Sequence, residues 1–393
     1  MINKKYTVAH FVRKSSQLKA SFIKNQIINS IIFDPKIIYV STTDKGYKGG
    51  FADFAQNRFP SFFSGSNRNL FWNKVFHYLK IISKSEAKKI INYLTENKID
   101  ILHFHYGTDA MIYWRVIRDA GIPSVVSFYG YDCSSFPLKW FRIGEKLLQL
   151  KCFRHCTIVT AMSAVMKEDL LKLGCPENKI VIHYHGIDTS FFNFERKYRS
   201  GGKINLLILS GLDTKKGHLF LLESLKMIFD AGDFNIYLRI AGDGPVRSSI
   251  EKKIIQYGLQ NKVEMVGPIV HNSPEMSFEF QNADIFVHPS ITVDNEKEGI
   301  PGAIVEAMAS GLPVISTYHS GIPTIIEHLK TGWLVQENDT KSLGNAIIEL
   351  SIHPELRISI GTQARQFAFN NLEIMEKERE LENIYTGLLV GNN

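Results

Sequence analysis

The sequence predicts an α/β protein made of two doubly wound, Rossmann-like domains that face a central cleft. Short apolar, β-branched runs alternate with stretches of helical periodicity along the chain, and such alternation produces parallel sheets with helices on both faces. The 393 residues exceed the length of one ordinary domain. A polar stretch at 195–203 interrupts the alternation, which then restarts. We therefore expect two domains of similar size.

Predicted strands lie on both sides of the polar stretch. Those before it are Val8–Val12, Ile37–Val40, Ile101–His105, Val125–Tyr129, Thr157–Met162 and Ile180–Tyr184. Those after it are Leu206–Ser210, Ile236–Ala241, Val263–Val266, Ile285–His288, Val314–Thr317 and Trp333–Val335. Because Ser200-Gly201-Gly202 is the best linker candidate, we predict an N-terminal domain over 1–198, a second domain over 199–371 and a final segment over 372–393.

The composition is that of a globular protein. Hydrophobic residues make up 44% of the chain and charged residues 22%, which excludes a disordered or fibrous protein. No apolar run reaches the ~18–20 residues that span a bilayer. Four cysteines without a Cys-x-x-Cys pair indicate a reducing compartment, and the first residues lack the apolar segment of a secretion signal. We expect a cytoplasmic protein.

Positive charge is concentrated in the N-terminal half. Residues 1–195 carry 27 Lys and Arg against 15 Asp and Glu, a net charge of about +12, which leaves about −5 for the remainder. Between Phe59 and Leu94, aromatic residues alternate with Lys and Arg, a pattern that indicates docking on an anionic membrane surface. A helix packed in the core with a solvated lysine face is the alternative. Because these aromatic residues occur in apolar runs, nucleic-acid binding is not expected.

The strongest local signal follows the predicted strand Ile285–His288. Parallel sheets bind ligands at the carboxyl ends of their strands, and this strand leads into a polar loop, Glu298, Pro301 and a helical run. Pro at the first helical position and the exposed amides of the helix start predict an anion site suited to a diphosphate. Glu298 and Glu306 would lie about 80° apart on a helix, so they would contact different parts of one hydroxyl-rich ligand. The alternative is that a Glu here only complements the helix dipole.

The segment from Glu298 to Ile315, EGIPGAIVEAMASGLPVI, resembles the Glu-x7-Glu signature of glycosyltransferase family 4, the retaining GT-B enzymes. Further segments similar to the family are Ser320–Pro323 with Glu327, Gly332–Val335, the glycine turn at Gly242 and Gly244, and the strand ending at Gly267. The region 204–340 is thus similar to the nucleotide-sugar-binding half of such an enzyme. The resemblance implies the GT-B fold, in which a C-terminal helix crosses back to the first domain.

The resemblance implies roles for several residues of this half. Glu298 would orient the sugar of the donor, Glu306 would hold the ribose, and Lys216 would contact the diphosphate. Family members carry an arginine where this chain has Gly211, so Lys215 is expected to compensate for the missing charge-assisted hydrogen bond. The predicted donor-binding residues are Glu306, Gly299, Ile300, Pro301, Gly302, Lys215, Gly211, Gly242 and Gly267.

The N-terminal half resembles the family less closely. His103 and His105 lie on one face of a predicted strand, and with no Asp, Glu or Cys at ligand spacing a packed or cleft-lining pair is favoured over a metal site. Family members have a histidine near the transferred sugar where this chain has Tyr129, which can donate a hydrogen bond but cannot replace an imidazole acid or base. We predict Glu298, Lys216 and Tyr129 as the catalytic residues.

Three further residues are predicted to contact the acceptor or line the cleft. His105 matches the His-x-His pattern of the family, and Asp132 lies in a segment similar to its Gly-x-Asp sequence. Capping of a surface loop is the alternative role for Asp132. Ser21 lies in the region of the first loop and helix, where it would meet an anionic acceptor.

Together these features predict retaining transfer of a sugar from a nucleotide-diphosphate-sugar, with a UDP-sugar favoured over a GDP-sugar. The acceptor would be a hydroxyl of a glycan or a lipid-linked molecule in lipopolysaccharide, capsule or exopolysaccharide synthesis. The chain has no Asp-x-Asp motif, so neither a metal nor a cofactor is expected. The alternatives are a non-catalytic glycosyltransferase-like subunit, which Gly211 and Tyr129 would suit, and a sugar-nucleotide epimerase of the same fold.

Overall fold

The computed structural model describes residues 6–41, 61–64, 68–193 and 202–390. The predicted linker Ser200-Gly201-Gly202 lies outside the described residues except for Gly202, as do parts of the basic, aromatic stretch between Phe59 and Leu94. The chain divides into two compact units. Unit 1 comprises Met1–Gly186 together with Ile374–Asn393, and unit 2 comprises Ile187–Glu373.

Unit 1 contains a parallel sheet. Its strands within the described residues are β1 (Tyr6–Lys14), β2 (Phe33–Ser41), β3 (Ser61–Phe63), β4 (Ile101–His105), β5 (Ser124–Ser127), β6 (Ile158–Ala161) and β7 (Ile180–Ile182). Their spatial order is β3-β2-β1-β4-β5-β6-β7, and neighbouring strands run parallel. Strands β4 and β5 are buried at every position, as expected for a parallel sheet covered on both faces.

Helices connect these strands. They are α1 (Ser21–Ile28), α2 (Leu70–Leu79), α3 (Lys84–Glu96), α4 (Gly107–Ile112), α5 (Trp114–Asp119), α6 (Ser135–Leu148) and α7 (Ala164–Lys172). Ser83 and Ser163 begin α3 and α7 by accepting the amide hydrogens of Glu86 and Met166, which satisfies donors that a helix start leaves free. Helix α6 is interrupted over Lys139–Arg142 by non-helical backbone angles.

Unit 2 contains the second parallel sheet. Its described strands are β8 (Ile204–Leu209), β9 (Ile236–Ala241), β10 (Val263–Gly267), β11 (Ile285–His288), β12 (Val314–Thr317) and β13 (Trp333–Val335). Its helices are α8 (His218–Ala231), α9 (Arg247–Gln256), α10 (Pro274–Asn282), α11 (Gly302–Ala309), α12 (Ile322–Ile325), α13 (Thr340–Ile352) and α14 (Pro354–Asn371). The strand order β10-β9-β8-β11-β12-β13 is that of the Rossmann fold. The order reverses between β8 and β11, and ligands bind outside the carboxyl ends of strands at such a point.

The last helix, α15 (Ile374–Val390), belongs to unit 1 although it follows unit 2 in the sequence. The hydroxyl of Tyr385 lies 2.6 Å from Nδ1 of His103, and Tyr385 and Leu381 pack in the same apolar cluster as Val8. Oε1 of Glu382 accepts the backbone amide hydrogen of Ile31 at 2.7 Å. These contacts confirm the predicted helix that crosses back to the first domain.

The predicted fold class, two Rossmann-like α/β domains, is confirmed. Each predicted strand corresponds to an observed one, and β3 is an additional strand within the stretch predicted to be basic and aromatic. A strand of three residues at the edge of a sheet is too short to show a period in the sequence. Among the helices of the described residues, none combines the length and apolarity needed to cross a membrane.

Candidate functional site

The principal candidate site of unit 2 lies where its strand order reverses. The segment after β8 forms a short 3₁₀ helix, Thr214–Lys216, whose residue Lys215 accepts the amide hydrogen of Ile291 at 2.9 Å. Ile291 belongs to the loop between β11 and α11. This backbone contact joins two loops that are far apart in the sequence, and it brings their charged residues together.

Glu298 is the most heavily bonded residue of this site. Its Oε1 lies 2.5 Å from Nζ of Lys216, and its Oε2 accepts a hydrogen bond from the Ser290 hydroxyl at 3.0 Å. Nε2 of His288 lies 3.7 Å from the same oxygen. Glu298 is 8% exposed, so solvent screens its ion pair only weakly. The structure thus brings together two of the residues predicted to be catalytic, Glu298 and Lys216.

Charge pairing determines the ionisation of these groups. Burial by itself would raise the pKa of Glu298, but the Lys216 ammonium and the His288 ring outweigh it and hold that pKa well below its usual range. Burial likewise would lower the pKa of Lys215, but the ion pair with Glu296 raises it. Glu298 is therefore a carboxylate and Lys215 an ammonium at neutral pH.

A second layer of hydrogen bonds orients the Glu298 backbone. Its amide donates to Nε2 of His319 at 3.0 Å, so the proton of this ring is on Nδ1. Nδ1 in turn lies 2.7 Å from Oε1 of Glu337, and Oε2 of Glu337 accepts the amide hydrogen of Thr292 at 2.7 Å. Through this ring and the Glu337 carboxylate, the loop ahead of α11 is held at two points, the amides of Glu298 and Thr292.

Helix α11 begins one residue later than the sequence predicts. Pro301 is the N-cap, with extended backbone angles (φ −65°, ψ 123°), and Gly302 is the first helical residue. Pro301 therefore lies just before the helix and is not its first residue. Its carbonyl accepts the amide hydrogen of Ile304. Gly299 and Ile300 are buried between Glu298 and this N-cap. The helix start still directs its positive end toward the loop that carries Glu298.

Glu306 lies inside α11 and has a different partner. Its Oε1 is 2.9 Å from Nε2 of His271, which follows β10. Because Glu298 pairs with Lys216 and Glu306 with His271, the two carboxylates do not form a dyad. Their contact with separate parts of one ligand stays a prediction.

The predicted glycines differ in what their backbone requires. Gly242 has φ +143° and donates its amide hydrogen to the carbonyl of Gly267 at 2.7 Å. A Cβ atom at Gly242 would lie 1.9 Å from the carbonyl oxygen of Ser210, so no side chain fits there. At Gly211, in contrast, a Cβ atom would meet nothing within 4 Å. A side chain would fit at Gly211, so steric restriction does not explain why this chain lacks the family's arginine there.

The corresponding edge of unit 1 carries neutral rings. His105, the last residue of β4, has its Nδ1 3.0 Å from the hydroxyl of Tyr129 and its Nε2 3.0 Å from Nδ1 of His10. Burial lowers the pKa of His105 well below its usual value, and the nearby His10 lowers it further. Burial raises the pKa of Tyr129 well above its usual value. Both side chains are therefore neutral at physiological pH.

His10, His103 and His105 form a cluster whose ring nitrogens lie within 4.8 Å of one another. The sequence did not indicate His10, which neighbours His103 only through the pairing of β1 with β4. Three histidines are a ligand set that zinc accepts. In this structure, however, His103 bonds to Ser127 and Tyr385, and both nitrogens of His105 are also engaged.

Asp132 is completely buried and bonded to backbone amides. Its Oδ2 accepts the amide hydrogen of Gly107 at 2.8 Å, and its Oδ1 accepts those of Tyr129 and Gly130 at 3.1 and 3.2 Å. Burial raises the pKa of Asp132 to about 6 despite these hydrogen bonds. The residue thus holds the loop of Tyr129 against the start of α4, as the capping alternative expects. Ser21 is the half-buried first residue of α1.

Several residues of the two sites were not predicted. They are His271, His288, Ser290, His319 and Glu337 in unit 2, and His10 in unit 1. Most lie at or shortly after the carboxyl end of a strand. This position is the one feature of the sequence that could have indicated them. His288 is buried, and neither of its ring nitrogens has a hydrogen bond among the described residues.

Two domain models match adjoining parts of the chain. "Glycosyl transferases group 1" matches residues 190–367, and "Glycosyltransferase Family 4" matches residues 62–191. Among similar proteins, the putative colanic acid biosynthesis glycosyltransferase WcaL of Salmonella typhimurium is 32% identical over 72% of this chain and 70% of its own length. The amylovoran biosynthesis glycosyltransferase AmsK of Erwinia amylovora is 31% identical over 64% of this chain and 61% of its own length.

Solved structures agree with this assignment at the level of the fold. A glycosyltransferase from Rickettsia africae has a TM-score of 0.75 at 22% identity, with 98% of this chain and 99% of that chain covered. Anabaena HepE in complex with UDP and glucose has a TM-score of 0.77 at 15% identity, with 97% of this chain and 100% of that chain covered. The predicted resemblance is confirmed: the chain belongs to glycosyltransferase family 4, the GT-B glycosyltransferases.

Proposed function

We propose that this protein is a retaining glycosyltransferase that moves a sugar from a nucleotide-diphosphate-sugar to a hydroxyl acceptor. The observation that carries this proposal is the ion pair between half-buried Lys216 and buried Glu298, beside the start of α11. It joins a cation, a carboxylate and a helix N-terminus at the point where the strand order of unit 2 reverses. A diphosphate and a polyhydroxylated sugar need these groups.

In the proposed complex, Lys216 and the start of α11 bind the diphosphate. The Lys216 ammonium, which pairs with Glu298 in this structure, would turn toward the phosphate oxygens. Glu298 would then accept hydrogen bonds from hydroxyl groups of the sugar. Because Glu298 is ionised at neutral pH, it accepts such bonds without first losing a proton. Glu306, positioned by His271, would accept hydrogen bonds from the ribose hydroxyls.

The proposed reaction needs no enzymic nucleophile. The bond between the anomeric carbon and the diphosphate oxygen breaks as the acceptor oxygen bonds to that carbon on the same face, so the configuration is retained. The hydroxyl proton of the acceptor passes to the departing phosphate oxygen, and a nucleoside diphosphate leaves. Lys216 and the helix start stabilise the charge that develops on this leaving group. The reaction as proposed depends on no metal, and Tyr129 serves only as a hydrogen-bond donor.

The names of similar proteins suggest the biological setting. WcaL and AmsK are named for colanic acid and amylovoran biosynthesis, so we place this reaction in the synthesis of a bacterial surface polysaccharide. A UDP-sugar is the favoured donor because HepE, which has the same fold, was crystallised with UDP and glucose. A peripheral position on the cytoplasmic face of the membrane would suit a lipid-linked acceptor. Leu70 and Phe71 of α2, 74% and 65% exposed, support it.

Nucleotide binding gives a direct test. We expect UDP or a UDP-sugar to raise the melting temperature of the wild-type protein, because a ligand at about 100 times its Kd adds about 2.7 kcal/mol to the stability of the folded state. Glu306→Gln should reduce this shift and the rate of transfer. Glu223→Gln, which alters an exposed residue of α8, should leave both unchanged.

The same assay separates the two alternatives. Nucleotide binding without product formation above the enzyme-free background, in the wild type as in Glu306→Gln, would favour a non-catalytic subunit. Conversion of the nucleotide sugar into an epimer without acceptor would favour an epimerase. A panel in which UDP, GDP, ADP and their sugars all leave the melting temperature unchanged would contradict the proposal.

A further inference from the structure

We propose that unit 1 binds its acceptor as a phosphorylated lipid, in a cavity between α2, α4 and the interrupted helix α6. This inference names the chemical class of the acceptor and rests on the proposed glycosyl transfer. The cavity measures about 430 Å³, which is within the range of about 300–1,000 Å³ that is typical of small-molecule sites. We refer to it as the amphiphile cavity, because its walls combine an apolar surface with three cations.

The apolar wall comes from two helices, α4 and α6. Met111 belongs to α4, Trp140 to the interruption in α6 and Leu147 to the last turn of α6, and all three line the cavity. If a soluble sugar bound here, its hydroxyl groups would face the apolar wall and would lack hydrogen-bond partners, which is unfavourable. A hydrocarbon chain would instead be stabilised in proportion to the apolar surface that it buries. The wall therefore favours a lipid chain.

Three cations line the same cavity. They are Arg13 near the end of β1, Lys80 at the C-terminus of α2 and Lys151 in the π-helical turn that follows α6. No Asp or Glu is among the described residues that line it. Burial lowers the pKa of Lys80, and the charge of Arg13 lowers it further, as expected where like charges converge. An anionic head group would relieve this repulsion.

Arg13 is only partly compensated by its acidic neighbour. Oδ1 of Asp109 is 3.7 Å from the Arg13 guanidinium, a distance too long for a hydrogen bond. Oδ2 of Asp109 instead accepts hydrogen bonds from the Arg13 backbone and the Gln17 side chain, at 3.0 and 2.7 Å. The Arg13 guanidinium is therefore available for a phosphate, with which it would form charge-assisted hydrogen bonds.

Exposed apolar side chains line the cavity (Leu79 and Trp140) or are next to a lining residue in the sequence (Phe141). Leu79 and Trp140 are 63% and 61% exposed, and the side chain of Phe141 is fully exposed. Trp140, Phe141 and Arg142 also have left-handed backbone conformations, with φ of 52°, 54° and 66°, which are unfavourable for residues other than glycine. The fold thus maintains an unfavourable conformation that places aromatic rings in solvent. A lipid surface provides the environment that these rings lack.

The cavity also has the position that an acceptor requires. In the sheet of unit 1, the strand order reverses between β1 and β4, the point at which doubly wound sheets bind ligands. Arg13 lies near the carboxyl end of β1, and Thr108 and Tyr131 follow the carboxyl ends of β4 and β5. Tyr131 is two residues from Tyr129, which is predicted to lie near the transferred sugar. A phosphate held here would place the attached acceptor group at the same edge of the sheet.

Calorimetric titration with farnesyl diphosphate tests this proposal. Saturating UDP is present, so that the proposed nucleotide site is occupied, and farnesol and inorganic diphosphate are titrated separately. We expect farnesyl diphosphate to bind at least tenfold more tightly than either half, because only the whole molecule uses both the apolar wall and the cations. Equal affinity for farnesol or for inorganic diphosphate, or no binding of farnesyl diphosphate, would overturn the proposal.

Variants of the full chain localise the binding. Lys151→Gln and Lys80→Gln should each weaken the binding of farnesyl diphosphate about tenfold, and Met111→Trp should block it by filling the cavity. Lys146→Gln is the matched control, because Lys146 is an exposed residue of α6 that does not line the cavity. Unchanged binding by Met111→Trp together with loss of binding by Lys216→Ala would place the ligand in unit 2 and contradict the proposal.

This design separates the two proposals. If UDP fails to bind while farnesyl diphosphate binds with the expected dependence on Lys151 and Met111, the proposed transfer reaction fails and the lipid site stands. If UDP binds and farnesyl diphosphate does not, the acceptor class is wrong and the donor site stands. Melting temperatures of the Lys151 and Met111 variants near that of the wild type would show that lost binding does not result from unfolding.

Discussion

The two units present the same sheet edge to a ligand, but they line it with different chemistry. In unit 2 the edge carries formal charges that pair with each other, namely Lys216 with Glu298 and Lys215 with Glu296. In unit 1 the equivalent edge carries rings that burial keeps neutral, among them His105 and Tyr129. The pKa of the Glu298 carboxyl is lowered, whereas that of the Asp132 carboxyl is raised to about 6.

This difference supports the proposed division, in which unit 2 binds charged groups of the donor and unit 1 binds an uncharged reacting group. The ion pairs of unit 2 keep two cations and two carboxylates ionised beside each other, and in the proposed complex they would exchange partners with a diphosphate and a sugar. Unit 1 has hydrogen-bond donors without charge where the acceptor hydroxyl is expected, and its cations stand apart, around the amphiphile cavity. The predictions below test this comparison, beginning with the largest expected effect.

Removal of the Lys216 ammonium should have the largest effect. Lys216→Ala is expected to lower kcat about 10²–10³-fold, because it removes a charge from the developing diphosphate and leaves the buried Glu298 without its partner. Lys216→Arg, which keeps the charge, should recover part of the loss in a steady-state assay of sugar transfer. Lys226→Ala, on the exposed face of α8, serves as the control. A Lys216→Ala enzyme within a few-fold of the wild type would show that the ion pair is structural only.

A buried carboxyl group of unit 1, that of Glu378, should make the stability of this unit depend on pH. Burial, and then the charge of Glu382, raises the pKa of Glu378 in α15 to about 8. A carboxyl whose pKa is raised in the folded state loses stability as the pH rises from about 4.5 through 8. Glu378→Gln stays neutral, so relative to the wild type it should gain roughly 3 kcal/mol in free energy of unfolding between pH 5 and 8.

Urea denaturation at a series of pH values measures this gain. Glu376→Gln is the control, because Glu376 lies on the same helix and is exposed. If the stabilities of Glu378→Gln and the wild type change in parallel with pH, then Glu378 ionises freely in the folded protein and the contrast between the units weakens.

Restoring the family's arginine should strengthen the donor site. Gly211→Arg places a guanidinium after β8, where a Cβ atom meets open space. We expect the Kd of the preferred nucleotide sugar to fall about 10- to 100-fold, as a charge-assisted hydrogen bond of about 1.5–3 kcal/mol implies. Titration calorimetry measures the change, with Gly387→Arg on exposed α15 as a control for added positive charge. An unchanged Kd would indicate that Lys215 already supplies the missing contact.

The smallest effect is expected at Tyr129. Tyr129→Phe removes the hydrogen bond to His105, which is worth about 0.5–1.5 kcal/mol, so kcat/KM should fall about three- to tenfold. Because burial keeps Tyr129 protonated, the pH profile of kcat/KM should keep its shape between about pH 6 and 9. Loss of the alkaline part of the profile in this variant would show that Tyr129 acts as an acid or base.

Prediction from the sequence succeeded where function depends on contiguous residues. The strand β11, the loop and the start of α11 are one segment, so their order indicated Glu298 and the helix start directly, with an error of one residue at Pro301. The sequence did not indicate His319, because this residue reaches the Glu298 amide only when β12 lies beside β11. The interruption of α6 was likewise not predicted, since Trp140, Phe141 and Arg142 have no intrinsic preference for left-handed angles.

The sequence by itself determined the two Rossmann-like domains, the family and the segment that carries Glu298 and Glu306, because local periodicity and contiguous motifs encode these features. Only the tertiary structure decided which charges pair, which histidines cluster and where three cations surround an apolar cavity. These features require residues from strands and helices far apart in the chain to meet. Their burial, and therefore their ionisation, depends on neighbours that no short segment contains.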